Sequence, residues 1–460
     1  MTISLINLPS PFLTDQKTLM PLGLLYLGSS VEQSGLECSI IDLAGKKNYI
    51  EETLLSLEKL NVNSVGIGLT SSQVPIGKEI VSSIRHQFPS IKIIGGGPHV
   101  THTFLSSFYQ PIRNKNLMED LNKTYDVLIM GDAEKAIHIA VKPNSSKLIN
   151  ATVRNSPYYV DSNYLNELPY PARHLIDMKS YHYNLGHKNI STSNAVNIIS
   201  QRGCPYSCRF CAGRTNTYGR VLRKTGSPKI VGEIEYLYNT YGYIDYTFYD
   251  DELNINCHFS SLLDDLKNLQ MKLGKSFRFR CFLRANLITK IQIKELASAG
   301  FKVIAIGAES GSDKILKNMS KKVTVENNTN VVEWSKEYGI YTKSIISLGH
   351  PGESPETLSE TEKWIDKVKL DDVNFTIVEC LPSSVYYDNS IYNNGVWVYT
   401  VPETGDKLYD TGVDWTKDVH FFNADPSVEY KSTIYTDYLK QEELVQWHRY
   451  FEKKYKDTNN

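Results

Sequence analysis

The feature that most constrains the fold is a regular alternation of short apolar runs and helical patterns along the 460-residue chain. Amphipathic stretches such as Leu22–Gln33 separate the runs in the first part of the sequence. The runs in this part are Ile3–Asn7, Cys38–Asp42, Ser64–Leu69, Ile91–Gly95 and Asp126–Met130. Repeated strand–helix units predict a parallel sheet with helices on both faces, so residues 1–142 are predicted to form a doubly wound α/β domain.

A second alternation begins at Val196, after residues 143–193, where the pattern is lost and a linker is predicted. Its predicted strands are Val196–Ile199, Ile244–Tyr249, Phe277–Leu283, Lys302–Ile306, Lys343–Leu348 and Asp372–Val378. Helical patterns separate these runs, and six βα units predict a (βα)6 partial TIM barrel over residues 194–382. Periodicity is weak in residues 383–460, which are predicted to form a small C-terminal extension rich in helix.

Composition and charge exclude several classes of protein. Lysine and arginine number 50 against 51 aspartates and glutamates, and this balance disfavours nucleic acid or an anionic membrane as the main partner. No run approaches the roughly 18 apolar residues of a membrane span, and the first residues lack the basic segment of a secretory signal. We therefore expect a cytoplasmic protein without a membrane partner.

Three of the seven cysteines lie within eight positions, at Cys204, Cys208 and Cys211. They follow the first predicted barrel strand, at the strand end where barrel enzymes place their sites. Thiolates with this spacing in one loop can hold an iron–sulfur cube and leave one iron open for a small molecule. The alternatives are a zinc site, which needs a fourth ligand, and a disulfide, which a reducing compartment disfavours. Core thiols are expected at the cysteines in or beside apolar runs, namely Cys257, Cys281 and Cys380.

The pattern Cys-x3-Cys-x2-Cys, with Phe210 before its last cysteine, resembles the signature of the radical S-adenosylmethionine (SAM) enzymes. The resemblance implies a 4Fe–4S cluster bound by Cys204, Cys208 and Cys211, with SAM chelated to the open iron through its amino and carboxylate groups. It also implies one-electron cleavage of SAM to a 5′-deoxyadenosyl radical, and an electron donor such as flavodoxin or ferredoxin. The protein itself positions the cluster and SAM and shields the radical.

Ligand-type residues also follow the other predicted barrel strands, and parallel strands bring these ends to one face. Carboxylates there can bind the SAM ammonium or ribose hydroxyls, and an arginine can pair with the SAM carboxylate. The resemblance implies SAM contacts at Phe210, Asp251, Glu252, Arg284, Glu309 and Ser310. The acidic segment reads Asp-Asp-Glu where the family commonly has Gly-Gly-Glu, which leaves open whether Asp250, Asp251 or Glu252 acts. Glu353, after the fifth strand, is expected to be a helix cap or to lie in a solvated turn.

Small and flexible residues follow three strands of the first domain, where doubly wound sheets bind ligands. The segments that begin at Pro21, Gly95 and Gly131 resemble the amino-terminal domain of cobalamin-binding radical SAM enzymes, and the resemblance covers both domains in their order. It implies cobalamin contacts at Thr70, Ser71, Ser72, Gly96, Gly97, Pro98, His99 and Gly131.

The first strand is not followed by the Asp-x-His-x-x-Gly motif with which related domains bind cobalt. The sequence there is Pro9–Leu13, without a histidine, so a cobalamin that takes no protein imidazole is expected. His99 and His102 are the nearest candidates for a cobalt ligand. A nucleotide site is disfavoured, because neither glycine-rich phosphate fingerprint is present.

Together these residues predict a cobalamin-dependent radical SAM enzyme, and within that group a methyltransferase that acts on an unactivated carbon of a small molecule or natural product. An enzyme that uses cobalamin for oxidative cyclisation or ring rearrangement would carry the same motifs. A corrinoid and iron–sulfur binding module without catalysis is a third alternative, which the polar strand ends disfavour. A methylthiotransferase is rejected, because it needs three amino-terminal cysteines and only Cys38 precedes Cys204.

Overall fold

The computed structural model describes residues 2–11, 13–183, 185, 190, 194–415, 417 and 430–456. The chain forms two compact units, Met1–His182 with Val413–Tyr430, and Tyr183–Gly412 with Lys431–Asn460. Phe12 and parts of the segments predicted as linker and C-terminal extension lie outside the described residues. No described helix combines the length and the apolar character that crossing a membrane requires.

The first unit contains a six-stranded parallel sheet flanked by helices. Its strands are β1 (Thr2–Asn7), β2 (Glu37–Asp42), β3 (Ser64–Gly68), β4 (Lys92–Gly96), β5 (Val127–Met130) and β6 (Leu148–Asn150). Its helices are α1 (Leu22–Gln33), α2 (Tyr49–Leu60), α3 (Val74–Gln87), α4 (Pro98–Ser107), α5 (Pro111–Thr124), α6 (Ile137–Ala140) and α7 (Ser162–Glu167). The strand order is β2-β1-β3-β4-β5-β6. The parallel sheet is confirmed, and β6 is added to it by a segment that the sequence left in the predicted linker.

Neighbouring residues along one strand pack into different cores, which confirms the doubly wound arrangement. Ile6 of β1 packs in a core with Ile80 of α3, whereas Leu5 packs in another core with Val31 of α1. Alternate strand residues point to opposite faces, so helices cover both sides of the sheet. The strand order reverses between β1 and β3, and the carboxyl ends of these two strands form the crevice where such sheets bind ligands.

The second unit contains the predicted barrel. Its strands in this region are β7 (Ala195–Ile198), β8 (Gln201–Arg202), β9 (Arg223–Lys224), β10 (Asp245–Phe248), β11 (Arg278–Leu283), β12 (Phe301–Glu309), β13 (Tyr341–Leu348) and β14 (Asp372–Ile377). Its helices are α8 (Thr217–Arg220), α9 (Ser227–Tyr241), α10 (Phe259–Leu273), α11 (Lys290–Ser298), α12 (Asp313–Asn318), α13 (Val325–Glu337) and α14 (Pro355–Val368).

The six long strands are all parallel, in the order β14-β13-β12-β11-β10-β7, while β8 and β9 pair separately. This sheet confirms the partial barrel, and each of the six predicted runs is one of its strands. α14 begins as predicted, with Ser354 as its N-cap and Pro355 at its first position. Phe279 stacks among Tyr246, Phe248 and Phe301, with ring centroids 5.2 to 6.0 Å apart.

The C-terminal part of the second unit adds a small sheet and a long helix. Its elements are α15 (Val385–Asp388), β15 (Ile391–Asn393), β16 (Val396–Thr400), β17 (Lys407–Asp410), β18 (Ile434–Thr436) and α16 (Gln441–Lys456). The strands form an antiparallel sheet, which the weak periodicity of this region did not indicate. α16 packs on β14, where the rings of Phe451 and Phe375 stack 5.1 Å apart.

Candidate active site

The cysteine loop follows β8 at the carboxyl end of the barrel. Cys204 and Cys208 are buried and Cys211 is partly buried, and all three are free thiols. Gly203 opens the loop with φ of 87°, and a Cβ there would lie 2.4 Å from the carbonyl oxygen of Val221. Only glycine adopts this conformation at such close range without strain. The sequence therefore fixes the entry of the chain into the cysteine loop.

Hydrogen bonds hold this loop to two other segments of the barrel end. The Arg209 amide donates to the Met319 carbonyl at 2.9 Å, and the Arg209 guanidinium donates to the Asn318 carbonyl at 3.0 Å. The Gly213 amide donates to the carbonyl of Ser383 at 2.8 Å. The loop is thus anchored on both sides of the last cysteine, which preorganises the thiols.

The buried Arg214 guanidinium lies among the cysteines. It donates to the Cys204 carbonyl at 3.2 Å and to Asp251 Oδ2 at 3.1 Å. Burial raises the pKa of Cys204 to about 11, although the Arg214 charge acts in the opposite direction. A bound metal replaces such a thiol proton, so metal binding would stabilise the thiolate that burial disfavours.

The donor set suits a cluster better than a single ion. In the described part of the chain, no three His, Cys, Asp or Glu side chains converge on one point as the ligands of a lone metal ion would. A structural zinc ion takes four ligands and this loop supplies three thiols, whereas a 4Fe–4S cube takes one cysteine on each of three irons and can leave the fourth iron open. Three thiols spaced along one anchored loop therefore fit the cube.

Asp250 and Asp251 follow β10 and differ in their surroundings. Asp250 Oδ1 accepts hydrogen bonds from the amides of Ser200 and Gln201, at 2.9 and 2.7 Å. Burial raises the pKa of Asp250 to about 7. These contacts lock Asp250 to the turn after β7, while Asp251 is half exposed beside Arg214.

Glu252 and Arg284 face each other next to the cysteine loop. Glu252 Oε1 lies 3.7 Å from Arg284 Nη1, which lies 4.0 Å from the Cys208 sulfur. Arg284 also stacks over Tyr206, with its guanidinium 3.6 Å from the ring centroid. Glu252 Oε2 and Arg284 Nε are buried without a hydrogen-bond partner among the described residues. Buried groups of this kind are costly, which points to a ligand that completes them.

Lys321 completes this charged group, although no motif in the sequence marks it. Its ammonium lies 2.7 Å from Glu309 Oε1, and both side chains are buried. Burial acts to lower the pKa of Lys321, but Glu309, the Cys208 sulfur and Glu252 outweigh it and raise the pKa above its usual value. Lys321 lies between α12 and α13, away from any strand end, so strand-end reasoning had no signal for it.

Ser310 and Phe210 have structural contacts in this region. The Ser310 hydroxyl lies 3.2 Å from Thr361 Oγ1 of α14 and accepts from the Ser312 amide at 3.2 Å, so it links the turn after β12 to α14. The Phe210 ring packs edge-on against His350, with centroids 5.4 Å apart. His350 is itself held by Ser347 and by Tyr386.

Two expectations for single residues were wrong. Glu353 is neither solvated nor the cap of α14, which is Ser354: its buried carboxyl group accepts the amides of Gly349 and His350, and burial raises its pKa to about 8. Cys257 is exposed rather than part of a core, and its sulfur lies 2.9 Å from Lys224 Nζ. Cys281 and Cys380 are buried as expected.

In the first unit, the loops after β3 and β4 meet at the ligand crevice. Gln73 Nε2 donates to the carbonyls of Leu8 and Pro9 at 3.2 and 3.3 Å, and Gln73 Oε1 accepts from the Thr70 hydroxyl at 2.8 Å. These bonds link the carboxyl ends of β1 and β3, where the strand order reverses. Ser72 is buried in the same turn.

His99 is buried at the start of α4 and connects the two loops. Its amide donates to the Leu69 carbonyl at 2.9 Å, and its Nδ1 lies 3.0 Å from Ser71 Oγ. Burial lowers the pKa of His99 to about 4, so the ring is neutral. Pro98 occupies the first turn of α4, and the Gly131 amide donates to Thr101 of the same helix at 2.9 Å.

Gly97 sits between β4 and α4, against the backbone of the β3 loop. Its φ is 91°, and a Cβ would lie 2.7 Å from the Leu69 amide nitrogen. β4 ends at Gly96, and Gly97 lets the loop that follows pack directly on the loop after β3.

Comparisons with known proteins agree with this architecture. The Radical SAM superfamily matches residues 198–365 and the B12 binding domain matches residues 13–106. An uncharacterized methyltransferase of Pyrococcus horikoshii is 25% identical over 376 residues, which are 81% of this chain and 79% of the relative. The anaerobic magnesium-protoporphyrin IX monomethyl ester cyclase of Cereibacter sphaeroides is 23% identical over 364 residues, which are 74% of this chain and 55% of the relative.

A solved structure shares the fold. The radical SAM methyltransferase TsrM of Kitasatospora setae, with tryptophan and a SAM analogue bound, has a TM-score of 0.62 at 17% identity. The match covers 84% of this chain and 74% of TsrM. A B12 binding domain thus precedes a radical SAM domain along this chain. The chain belongs to the cobalamin-binding radical SAM enzymes, and its cofactors are a 4Fe–4S cluster, SAM and cobalamin.

Proposed function

We propose that the protein is a cobalamin-dependent radical SAM methyltransferase that methylates an unactivated carbon of a small-molecule substrate. The observation that carries the SAM site is the buried group of Glu252, Arg284, Glu309 and Lys321 next to Cys208. The methionine part of SAM carries one ammonium and one carboxylate, so a pocket with both signs of charge matches it. The similarity to a methyltransferase over 81% of the chain supports the methyl-transfer part of the proposal.

Each residue of this group has a distinct part in the proposal. Glu252, with its free oxygen, would accept the SAM ammonium, and Arg284 and Lys321 would hold the SAM carboxylate. Asp250 would keep the preceding turn rigid through its bonds to Ser200 and Gln201. When bound, the cluster, SAM and cobalamin supply an electron, a 5′-deoxyadenosyl radical and a transferable methyl group. We expect the electron to come from a flavodoxin or ferredoxin.

In the first unit, we propose that the loops after β3, β4 and β5 hold cobalamin. Thr70, Ser71, Gly97 and His99 line the carboxyl ends of these strands, where doubly wound sheets bind ligands. The buried His99 ring is already bonded to Ser71, so its role is to fix the β3 loop. No described residue of the Pro9–Leu13 segment is a histidine, which matches a cobalamin without a protein imidazole.

Gly97→Ala is expected to weaken cobalamin binding about 5- to 150-fold and so to lower the cobalt content of the purified protein, because displacing the β3 loop costs roughly 1–3 kcal/mol. The measurement is cobalt per chain by elemental analysis, together with the visible spectrum of bound cobalamin. Gly35→Ala is the matched control, since Gly35 has φ of 77° with no atom within 4 Å of the added Cβ. Equal cobalt loss in both variants would contradict a specific role for the β4 loop.

The function is tested by anaerobic incubation with SAM and a chemical reductant, followed by mass spectrometry. We expect both 5′-deoxyadenosine and S-adenosylhomocysteine, because methyl transfer consumes a second SAM. The similarity to the Cereibacter sphaeroides cyclase makes cyclisation the second candidate. Formation of 5′-deoxyadenosine without S-adenosylhomocysteine would favour that candidate over methyl transfer. Formation of neither product would contradict both.

A further inference from the structure

The inner face of the barrel can be identified from β10 and β11. The Tyr246 hydroxyl donates to the carbonyl of Ile234 in α9 at 3.2 Å, so Tyr246 lies on the outer, helix-covered face. Successive strand residues point to opposite faces, which places Thr247 on the inner face. Arg280 of β11 pairs in register with Thr247, and residues in register share a face. Arg280 therefore also lies inside the barrel.

Arg280 and Thr247 each have a buried hydrogen-bonding atom without a partner among the described residues. Arg280 is 7% exposed, and its one described hydrogen bond goes to the hydroxyl of Tyr183. Arg280 Nε and Thr247 Oγ1 are both buried without a partner among the described residues. A buried guanidinium that leaves a donor unused is costly, because that donor has lost its hydration.

The charge of Arg280 is also not neutralised. The carboxylate that acts on it is Asp372, but Asp372 already pairs with Lys343 at 2.6 Å. Burial lowers the pKa of Arg280 to about 10 despite the attraction of Asp372. The three side chains together carry two positive charges and one negative charge, which leaves one positive charge inside the barrel.

The register of the sheet connects the face that carries Arg280 to a solvent-exposed residue on the edge strand β14. Residues in register share a face, so the inner face can be followed from strand to strand. Phe282 lies two residues beyond Arg280 on β11 and pairs with Ala305 of β12. Ala305 in turn pairs with Lys343 of β13. Lys343 pairs with Asp372 of β14, which puts Thr376 on the inner face of the same strand. Thr376 is exposed to solvent, so this face is accessible at β14, the edge of the sheet.

The distance to the proposed SAM site is set by β11 itself. Arg284 lies four residues beyond Arg280 on the same face, and four residues of a strand span about 13 Å. Arg284 lies 4.0 Å from the Cys208 sulfur. A group bound at Arg280 is therefore separated from the cluster end of the barrel by roughly the length of a small metabolite.

We propose that Arg280 and Thr247 form an anion-binding subsite inside the barrel, which holds a carboxylate or phosphate group of the substrate. The inference rests on the proposed function for its substrate and narrows that substrate to an anionic small molecule. The planar guanidinium binds either group through two parallel hydrogen bonds, and the Thr247 hydroxyl supplies a third. The reacting carbon would lie toward Arg284, at the opposite end of the molecule.

The test is calorimetric titration of the whole chain with inorganic phosphate and, separately, with acetate. We expect at least one of the two probes to bind the unaltered protein at one site. The probe that binds more tightly shows whether the subsite prefers a phosphate or a carboxylate group. Arg280→Gln should weaken that binding at least about tenfold, and Thr247→Val should weaken it by a smaller factor. Lys275→Gln is the matched control, because Lys275 is an exposed cation three residues before β11, and its loss should change binding less than about twofold.

Absence of a site in the unaltered protein, or equal binding in Arg280→Gln and Lys275→Gln, would overturn the subsite. Arg280→Met, which keeps an apolar chain in place of the arginine stem, serves if Arg280→Gln does not fold. The titration requires neither cluster nor SAM, whereas the proposed function is tested by SAM products of the unaltered chain. The failure of one is therefore distinguishable from the failure of the other.

Discussion

Alanine at Cys204, Cys208 or Cys211 is expected to abolish both cluster binding and SAM cleavage. Each cysteine binds a different iron of the cube, so the loss of one thiolate leaves an iron without its protein ligand. We expect SAM cleavage to fall at least about 1000-fold, which corresponds to ~4 kcal/mol in the barrier. The measurements are iron and sulfide per chain after anaerobic purification, and 5′-deoxyadenosine formed per chain.

Cys257→Ala is the matched control for this experiment. Cys257 lies in the same unit but is exposed and outside the cysteine loop, so its loss should leave iron content and cleavage unchanged. Undiminished 5′-deoxyadenosine in any of the three loop variants would remove that cysteine from the cluster. An equal loss in the Cys257 variant would show that the effect is not specific to the loop.

Lys321→Met is expected to weaken SAM binding at least about tenfold and to reduce cleavage by a similar or larger factor. A hydrogen bond to a charged group contributes about 1.5–3 kcal/mol, and the change also leaves the buried Glu309 carboxylate without its cation. The measurement is the SAM concentration dependence of 5′-deoxyadenosine formation, read together with the iron content. Iron should be retained, because Lys321 is not a cluster ligand.

Lys322→Met is the control, because Lys322 is the exposed neighbour of the buried Lys321. Lys321→Arg keeps the charge and should recover part of the affinity. If Lys321→Met binds SAM as tightly as the Lys322 variant, the ammonium does not contact the SAM carboxylate. A Lys321→Met protein that also loses its iron would show a structural role instead.

The strands of both units could be predicted because most of them are buried apolar runs with helical patterns between them. β6 escaped prediction because it has only three residues, of which one is exposed. β15 escaped because all three of its residues are exposed, so it carries no apolar signal. Short or edge strands depend on their pairing partners, which periodicity does not show.

The candidate site likewise contains residues that a local sequence pattern marks and residues that only the fold brings to it. The cysteine loop has a local spacing that sequence reasoning can find, and so do the strand ends at Glu252 and Arg284. Lys321 lies in a loop between two helices, and only the fold brings it to Glu309. The sequence left Asp250, Asp251 and Glu252 as alternatives. The fold gives Asp250 its bonds to Ser200, places Asp251 beside Arg214, and leaves one Glu252 oxygen without a partner among the described residues.

The most direct measurement is the iron, sulfide, cobalt and zinc content of the protein purified without oxygen, with the electron paramagnetic resonance spectrum of its reduced form. We predict about four iron and about four sulfide per chain, with bound cobalamin, and a spectrum that changes when SAM is added. Stoichiometric zinc in place of iron, or an iron–sulfur spectrum that SAM leaves unchanged, would contradict a cluster with an open iron for SAM.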